Sequence, residues 1–229
     1  MKRLHFFVDF DGTISSTDVV DIVLERFAGP EWQAIEREWA AGRIGSRECL
    51  SRQVALVRAD EAALDALVAG VGVDPGFAGF LRAASELEVP VSVVSDGFDL
   101  FIRRILADAL PDAALREALP VFSNRLEWRA GRLEASFAGG LPGCEHGCAN
   151  CKPAVMRREG AGDFTIFVGD GLSDRFAAHE ADMVFAKGKL LTYCVSKGVR
   201  HRVYTGFDEI ERWLRECAAG QRAYKTLHG

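Results

Sequence analysis

Two pairs of aspartates are the residues of this chain whose type and spacing could do chemistry. Asp9 and Asp11 directly follow an apolar run, in the sequence DFDGT, and Asp170 and Asp174 follow another, in GDGLSD. A carboxylate can attack as a nucleophile, and a neighbouring carboxyl group can transfer protons. Carboxylate oxygens are also the hard ligands that Mg²⁺ prefers, and a few suffice because the ion keeps several waters.

The spacing of the four acids therefore predicts a magnesium site. Asp9 and Asp170 would each supply a carboxylate, and Asp11 would supply its backbone carbonyl. Asp174 would act directly or through a water molecule. Its alternative role is only that of a negative charge at a helix N-terminus, which the helix dipole favours.

Polar residues elsewhere fit the binding of a phosphate group. Ser95 ends a second apolar run, and Asp96 and Gly97 lead into the N-terminus of a helix, which suits anions. Lys152 precedes Pro153, whose fixed φ favours the start of a helix. The alternative for Lys152 is an exposed lysine at that helix start.

The elements that must position these residues alternate along the chain. Apolar runs bounded by turn signals predict strands, and segments of helical periodicity lie between them. This alternation predicts an α/β fold with a doubly wound parallel sheet that helices cover on both faces. The predicted strands are Leu4–Val8, Val91–Ser95, Phe164–Val168, Met183–Ala186 and His201–Tyr204.

Two stretches break the alternation. Residues 14–76 hold helical segments without a convincing strand, the first of them Asp18–Phe27 with Ser16 or Thr17 as N-cap. We therefore predict a catalytic core of residues 1–13 and 77–229, with a small helical cap of residues 14–76 inserted after the first strand. The second exception is residues 124–137, where apolar alternation around Ala130-Gly131 predicts a β-hairpin.

Composition limits the classes of function. The chain has 229 residues, 48% of them hydrophobic, which is enough for a substantial core. Its formal net charge of -5 argues against binding to nucleic acid or to an anionic membrane. Because no apolar stretch approaches the ~20 residues of a membrane span, we expect a cytoplasmic protein, a monomer or a homodimer, that acts on a small molecule.

A run of soft ligands stands just before Lys152. Cys144, His146, Cys148 and Cys151 lie within eight residues, and the last two cysteines have C-x-x-C spacing. The run could close a structural zinc site, although four ligands from one short loop is tight. A redox-sensitive thiol pair and a packed, reduced loop are the alternatives.

Taken together, four motifs resemble those of the haloacid-dehalogenase superfamily and stand in that family's order. They are DxDGT at residues 9–13, a serine at a strand end (Ser95), a lysine (Lys152) and GDGxSD at residues 169–174. The resemblance implies a magnesium-dependent phosphatase with a Rossmann-like core. It also implies that Asp9 is the nucleophile and Asp11 the general acid and then base.

The same resemblance assigns the other site residues. Thr13, Ser95 and Lys152 would hold the phosphoryl oxygens, while Asp170 and Asp174 would organise Mg²⁺. Relatives that must preserve an aspartyl-phosphate carry threonine at the position of Asp11. An aspartate there indicates hydrolysis, or transfer of the phosphoryl group between small molecules.

The inserted helices resemble the first cap class of the superfamily, which includes the phosphoserine phosphatases. Those enzymes carry a phenylalanine and an arginine where this chain has Ser46 and Gln53, and Asp18 is a shorter counterpart of their amine-binding acid. Without the arginine, a bidentate contact to a substrate carboxylate is lost. Arg43, Arg47 and Arg52 would form a solvated face, unless one of them points into the site.

The resemblance is closer to the methionine-salvage branch, the hydroxyketo-methylthiopentenyl-phosphate phosphatases. The residues that carry it are SDGFD from Ser95, the cysteine-rich run that ends in Cys151-Lys152-Pro153, and Phe185-Ala186-Lys187. We therefore expect hydrolysis of a methylthiopentenyl-type or other sugar-like phosphate. A phosphoserine phosphatase, a phosphomutase or phosphotransferase, and a non-catalytic binding protein with this fold are the alternatives.

Overall fold

Seven strands of the described chain form one sheet in the order β4-β3-β2-β1-β5-β6-β7. The computed structural model describes residues 2–140, 144 and 146–228. All neighbouring strands are parallel except β3 and β4, which are antiparallel. The strands are β1 (Leu4–Val8), β2 (Val91–Phe98), β3 (Val121–Arg129), β4 (Arg132–Ser136), β5 (Phe164–Gly169), β6 (Met183–Ala186) and β7 (His201–Val203).

Helices cover both faces of this sheet, and the predicted doubly wound α/β fold is confirmed. A single 3-10 turn, Leu172–Asp174, precedes α9. The helices are α1 (Val19–Phe27), α2 (Trp32–Ala40), α3 (Ser46–Val54), α4 (Glu61–Val68), α5 (Phe77–Glu86), α6 (Asp99–Ala109), α7 (Ala113–Glu117), α8 (Lys152–Glu159), α9 (Arg175–Glu180), α10 (Gly188–Lys197) and α11 (Phe207–His228).

The core has two halves because the strands are buried on both faces. In β1, Phe6 and Val8 belong to a large cluster with α1, α4, α5, α6 and α11. Phe7 points the other way, into a smaller cluster with α8, α9 and α10. Alternate residues of a strand face opposite sides of a sheet, which explains why β1 reads as a continuous apolar run.

The predicted hairpin is confirmed, with a strand that starts earlier than predicted. Ala130 and Gly131 have φ values of 48° and 75°, as a two-residue turn of type I′ requires. Before the hairpin, β3 also pairs in parallel with β2, with Val121 opposite Val93. The short segment after Pro120 carries too few residues to predict that pairing from sequence.

Helices α1–α4 lie between β1 and α5, in the region predicted as a cap. The two chain segments that lead into and out of this region run side by side. Ser15 pairs with Val73 in an isolated antiparallel bridge, and Asp74 N–H donates to the Ile14 carbonyl at 2.9 Å. This paired crossing is consistent with the predicted boundaries at 14 and 76, which stay a prediction.

The N-cap of α1 differs from the prediction. Asp18, and not Ser16 or Thr17, caps the helix, and its carboxylate accepts a hydrogen bond from Asp21 N–H at 3.0 Å. Aspartate is as good an N-cap as serine, so local sequence did not distinguish the three candidates. Separately, no helix in the described ranges is long and apolar enough to cross a membrane.

Phe80 gives a direct test of the larger core cluster. Its ring is fully buried and lies 5.1 Å from the ring of Phe6 and 5.4 Å from that of Phe207. Phe80→Ala should lower the free energy of unfolding by about 3–5 kcal/mol, because it leaves a cavity between α5, α11 and the sheet. Val195→Ala, at a 65% exposed position, is the control and should change it by less than about 0.5 kcal/mol. Equal urea midpoints for the two variants would contradict this packing.

Candidate active site

The acids of the two motifs meet because their strands are neighbours. β1 pairs with β5 on one side and β2 on the other, so their carboxyl ends share one edge of the sheet. Asp9 continues the ladder by donating its N–H to the Val168 carbonyl at 2.9 Å. Asp170 directly follows β5, and Ser95 lies within β2. This edge is where ligands bind in open parallel sheets.

Lys152 lies at the centre of the group. Its Nζ donates to Asp9 Oδ1 at 2.6 Å and to Asp174 Oδ1 at 2.7 Å. All three side chains are buried, with Lys152 only 3% exposed. An isolated charge is costly to bury, so the ammonium and the two carboxylates stabilise one another. Lys152 is the first residue of α8, which explains how a lysine from a distant segment enters the sheet edge.

Three carboxylates form a cluster that could hold a metal ion. Oxygens of Asp9, Asp170 and Asp174 all lie within 4.8 Å of one another. Asp174 Oδ2 accepts hydrogen bonds from the N–H groups of Asp170 and Gly171, both at 3.1 Å, and Thr13 Oγ1 donates to Asp170 Oδ1 at 2.9 Å. With the three acids ionised, Lys152 offsets only one of three negative charges. The hard oxygen donors and the remaining negative charge fit a divalent cation such as Mg²⁺.

The pKa shifts show that burial and mutual repulsion disfavour the ionised form of the acids in this cluster. Burial raises the pKa of Asp9, and the negative charge of Asp174 raises it further. Burial acts to lower the pKa of Lys152, but the carboxylates of Asp174 and Asp9 outweigh it and hold that pKa above its ordinary value. The lysine therefore stays charged, and a second cation nearby would favour ionised acids.

Asp11 faces away from the metal cluster, towards β2 and the cap. Its Oδ1 accepts from Val19 N–H at 3.0 Å, and its Oδ2 accepts from Ser95 Oγ at 3.2 Å. Burial and the nearby charge of Asp18 raise the pKa of Asp11 to about 7. A carboxyl group that titrates near neutral pH is suited to give and take a proton. This orientation is consistent with the expected metal contact through the backbone carbonyl of Asp11, which stays a prediction.

Two glycines at this edge lie where the Cβ of any other residue would come too close to an aspartate side chain. A Cβ on Gly12 would lie 2.6 Å from Asp170 Oδ2, and Gly12 has φ +72°, which favours glycine. A Cβ on Gly97 would lie 2.5 Å from Asp11 Oδ2. Each glycine therefore allows two carboxyl-bearing segments to approach.

The residues predicted to bind phosphate gather in the same place, except for one side chain. Ser95 Oγ accepts from Gly97 N–H at 2.8 Å, and Thr13 and Lys152 reach the carboxylates as described above. Asp96 points elsewhere, and its carboxylate accepts from the N–H of Asn150 at 3.3 Å. A carboxylate repels a phosphate, so the side chain of Asp96 is unsuited to phosphate binding.

Asn150 is a site residue that the sequence analysis missed. Its amide donates to the carbonyls of Ser95, at 3.0 Å, and Phe122, at 2.8 Å, and the side chain is buried. It therefore fixes the carboxyl end of β2 against β3, two residues before Lys152. Nothing in the local sequence distinguishes it from a loop asparagine.

The three cap residues of interest have protein partners. Ser46 Oγ accepts from Ala149 N–H at 2.9 Å, so it connects α3 to the loop before α8. Gln53 is buried in the cap and donates to Glu36 Oε2 at 3.0 Å. Asp18 is exposed and caps α1. Ser46 and Gln53 thus bring no positive charge to the site.

A cavity of about 430 Å³ lies between the cap and the core, beside the site. Among the three cap arginines, Arg43 lines this cavity, whereas Arg52 pairs with Glu38 and Glu48 on the surface. The apolar part of the wall includes Trp39, Ile44 and Phe176.

The structure brings together three of the four predicted zinc ligands. The sulfurs of Cys144, Cys148 and Cys151 lie within 4.8 Å of one another. His146 is outside that group, and its ring lies on Phe176 with the centroids 3.8 Å apart. The prediction of a site with His146 as fourth ligand is therefore not borne out by the geometry of the described residues.

Comparison with known proteins places the chain in a family. The sequence model of the haloacid dehalogenase-like hydrolase family matches residues 6–179. The 2-hydroxy-3-keto-5-methylthiopentenyl-1-phosphate phosphatase of Geobacillus kaustophilus (strain HTA426) is 30% identical over 219 residues, which cover 93% of this chain and 97% of that protein. The enzyme of the same name from Geobacillus thermodenitrificans (strain NG80-2) is 29% identical, with 91% of this chain and 94% of that protein covered.

Solved structures agree on the fold. A phosphoserine phosphatase, solved as a phospho-aspartyl intermediate analogue, aligns with a TM-score of 0.67 at 20% identity and covers 93% of this chain and 98% of its own. A probable phosphoserine phosphatase from Vibrio cholerae aligns with the same TM-score at 16% identity, over 96% of this chain and 67% of its own. The resemblance inferred from the motifs is thus confirmed: the chain belongs to the haloacid dehalogenase-like hydrolases and is a phosphatase that acts on phosphoric monoesters.

Proposed function

We propose that this phosphatase works through an aspartyl-phosphate on Asp9 and depends on Mg²⁺. The observation that carries the proposal is the buried ammonium of Lys152 between Asp9 and Asp174, with Asp170 beside them. This arrangement holds a carboxylate nucleophile at the sheet edge and adds positive charge where a phosphate would approach. Mg²⁺, held by Asp9, Asp170 and the Asp11 carbonyl, with Asp174 directly or through water, would offset the remaining negative charge.

In the first step, a carboxylate oxygen of Asp9 attacks phosphorus and the bond to the leaving oxygen breaks. Asp11 donates its proton to that oxygen, so the product leaves as an alcohol or enol. Lys152, Thr13 and Ser95 stabilise the phosphoryl oxygens with charge and hydrogen bonds. Two steps on a carboxylate replace one difficult displacement.

In the second step, water attacks phosphorus and the bond to Asp9 breaks. Asp11, now ionised, takes a proton from the water, and inorganic phosphate is released. The same residue therefore acts as acid and then as base. The hydrogen bonds from Val19 N–H and Ser95 Oγ orient its carboxyl group for both transfers.

For the substrate, we infer a phosphate ester without a second charged group, of the methylthiopentenyl type. The full-length relatives are named for such a substrate, and the cap positions Ser46 and Gln53 bring no positive charge. The apolar part of the cavity wall, Trp39, Ile44 and Phe176, would pack against the uncharged part of the leaving group. Charged side chains, those of Arg43, Arg175 and Asp96, line other parts of the wall.

Asp9→Asn should abolish turnover, because an amide oxygen is a poor nucleophile. The fold should stay intact, because asparagine has nearly the same shape as aspartate. The measurement is phosphate release from an activated aryl phosphate with saturating Mg²⁺, together with the circular dichroism melting curve. Asp108→Asn is the control, since this acid is 51% exposed on α6, and it should keep wild-type activity. Turnover of Asp9→Asn at the wild-type rate would refute the assignment of the nucleophile.

Asp11→Asn should reduce steady-state turnover by about 10²–10⁴-fold and change the pH profile. Asp11 must carry its proton to act as the acid, and its pKa is about 7. In the wild type, kcat/KM should therefore fall as the pH rises through about 7, since the carboxyl group then loses that proton. The variant should lack this descending limb. If the limb persists in Asp11→Asn, another group is the acid.

Phosphoserine should be a poorer substrate than 2-hydroxy-3-keto-5-methylthiopentenyl-1-phosphate. Each missing charge-assisted contact costs ~1.5–3 kcal/mol, or about one to two decades of kcat/KM. The measurement is kcat/KM for both esters at one Mg²⁺ concentration.

Arg43→Gln is the matched variant for this comparison, because Arg43 lines the cavity and could bind a carboxylate. We expect the variant to leave the order of the two substrates unchanged. Phosphoserine could instead be the better substrate in the wild type and lose its advantage in Arg43→Gln. In that case the chain is a phosphoserine phosphatase in which Arg43 binds the substrate carboxylate.

A further inference from the structure

Three thiols converge beside the active site, in a loop that the proposed reaction does not use. The sulfurs of Cys144, Cys148 and Cys151 all lie within 4.8 Å of one another. Cys151 is buried and the other two are partly buried. All three are free thiols, and no two of them are joined in a disulfide. Sulfurs around a tetrahedral Zn²⁺ ion lie about 3.8 Å apart, which follows from Zn–S bonds of about 2.3 Å.

We propose that Cys144, Cys148 and Cys151 form a three-thiolate site for a soft metal ion such as Zn²⁺, with a fourth position open to water. The site differs in chemistry from the carboxylate cluster, because soft thiolates select zinc-like ions and hard oxygens select Mg²⁺. The ring of His146 lies on Phe176 and is not required as a ligand.

The position of the loop indicates what a bound ion would do. Gly147 O accepts from Arg47 N–H at 3.0 Å, and Ala149 N–H donates to Ser46 Oγ at 2.9 Å, so the loop contacts the start of α3 in the cap. A Cβ on Gly45 would lie 2.5 Å from Gly147 O, which shows how closely the two segments approach. An ion bound by the cysteines would therefore fix the cap contact and the segment that carries Lys152.

The test is metal binding by the full chain in excess Mg²⁺, which occupies the carboxylate cluster. Reduced wild-type protein is incubated with Zn²⁺ and dialysed, and bound zinc is measured by inductively coupled plasma mass spectrometry. We expect about one equivalent in the wild type, because three thiolates hold zinc through dialysis. Cys144→Ser and Cys148→Ser should each lose most of it, and the matched control Cys217→Ser, on α11, should keep it.

A second measurement on the wild type avoids any effect of the substitutions on folding. Titration with Cd²⁺ in excess Mg²⁺ should produce a thiolate charge-transfer absorption that saturates at one equivalent, and bound Cd²⁺ should protect the three cysteines from alkylation. The proposal is overturned if the wild type keeps no zinc and shows no such absorption. It is also overturned if Cys144→Ser and Cys148→Ser retain as much zinc as Cys217→Ser. Neither readout depends on phosphatase activity, so failure here leaves the proposed reaction untouched.

Discussion

The contact of Lys152 with Asp9 and Asp174 is the interaction on which the remainder of the site depends. Several carboxylates at one buried sheet edge repel each other, and burial alone would drive them to take up protons. The ammonium, 2.6 Å from Asp9 and 2.7 Å from Asp174, opposes this uptake of protons because its charge favours the ionised carboxylates. It offsets only part of the negative charge, and the proposed Mg²⁺ would offset the remainder. The fold satisfies this constraint by starting α8 at Lys152 and by bringing β1 and β5 together.

The chemistry of Asp11 is coupled to the cap. Its carboxyl group accepts from Val19 N–H, at the first residue of α1, and burial together with the charge of Asp18 raises its pKa. A movement of α1 would therefore change both the orientation and the protonation of Asp11, the proposed general acid. The loop before α8 contacts the cap from the other side, through Ser46. The helical region predicted as a cap thus orients Asp11 and also forms part of the cavity wall.

Much of the fold and of the site was predictable because the relevant signals are local. Asp9, Ser95 and Asp170 each follow or end an apolar run, and parallel strands bring such ends together. What was missed depends on contacts between segments distant in the chain. No local pattern reveals that Asn150 contacts both Asp96 and the end of β2. The same holds for the contact of Gln53 with Glu36. For the same reason, the pairing of β3 with β2 through Val121 was not predicted.

The central claim is that Asp9 becomes covalently phosphorylated, and the most direct measurement is to locate that phosphate. Enzyme mixed with substrate and Mg²⁺ is quenched in acid during the first turnover, digested, and sequenced by tandem mass spectrometry. We expect a phosphate on Asp9, and borohydride should reduce the acyl phosphate. We expect no phosphorylated Asp9 when Mg²⁺ is replaced by a chelator. An unlabelled enzyme during rapid turnover, or a label on another residue, would contradict it.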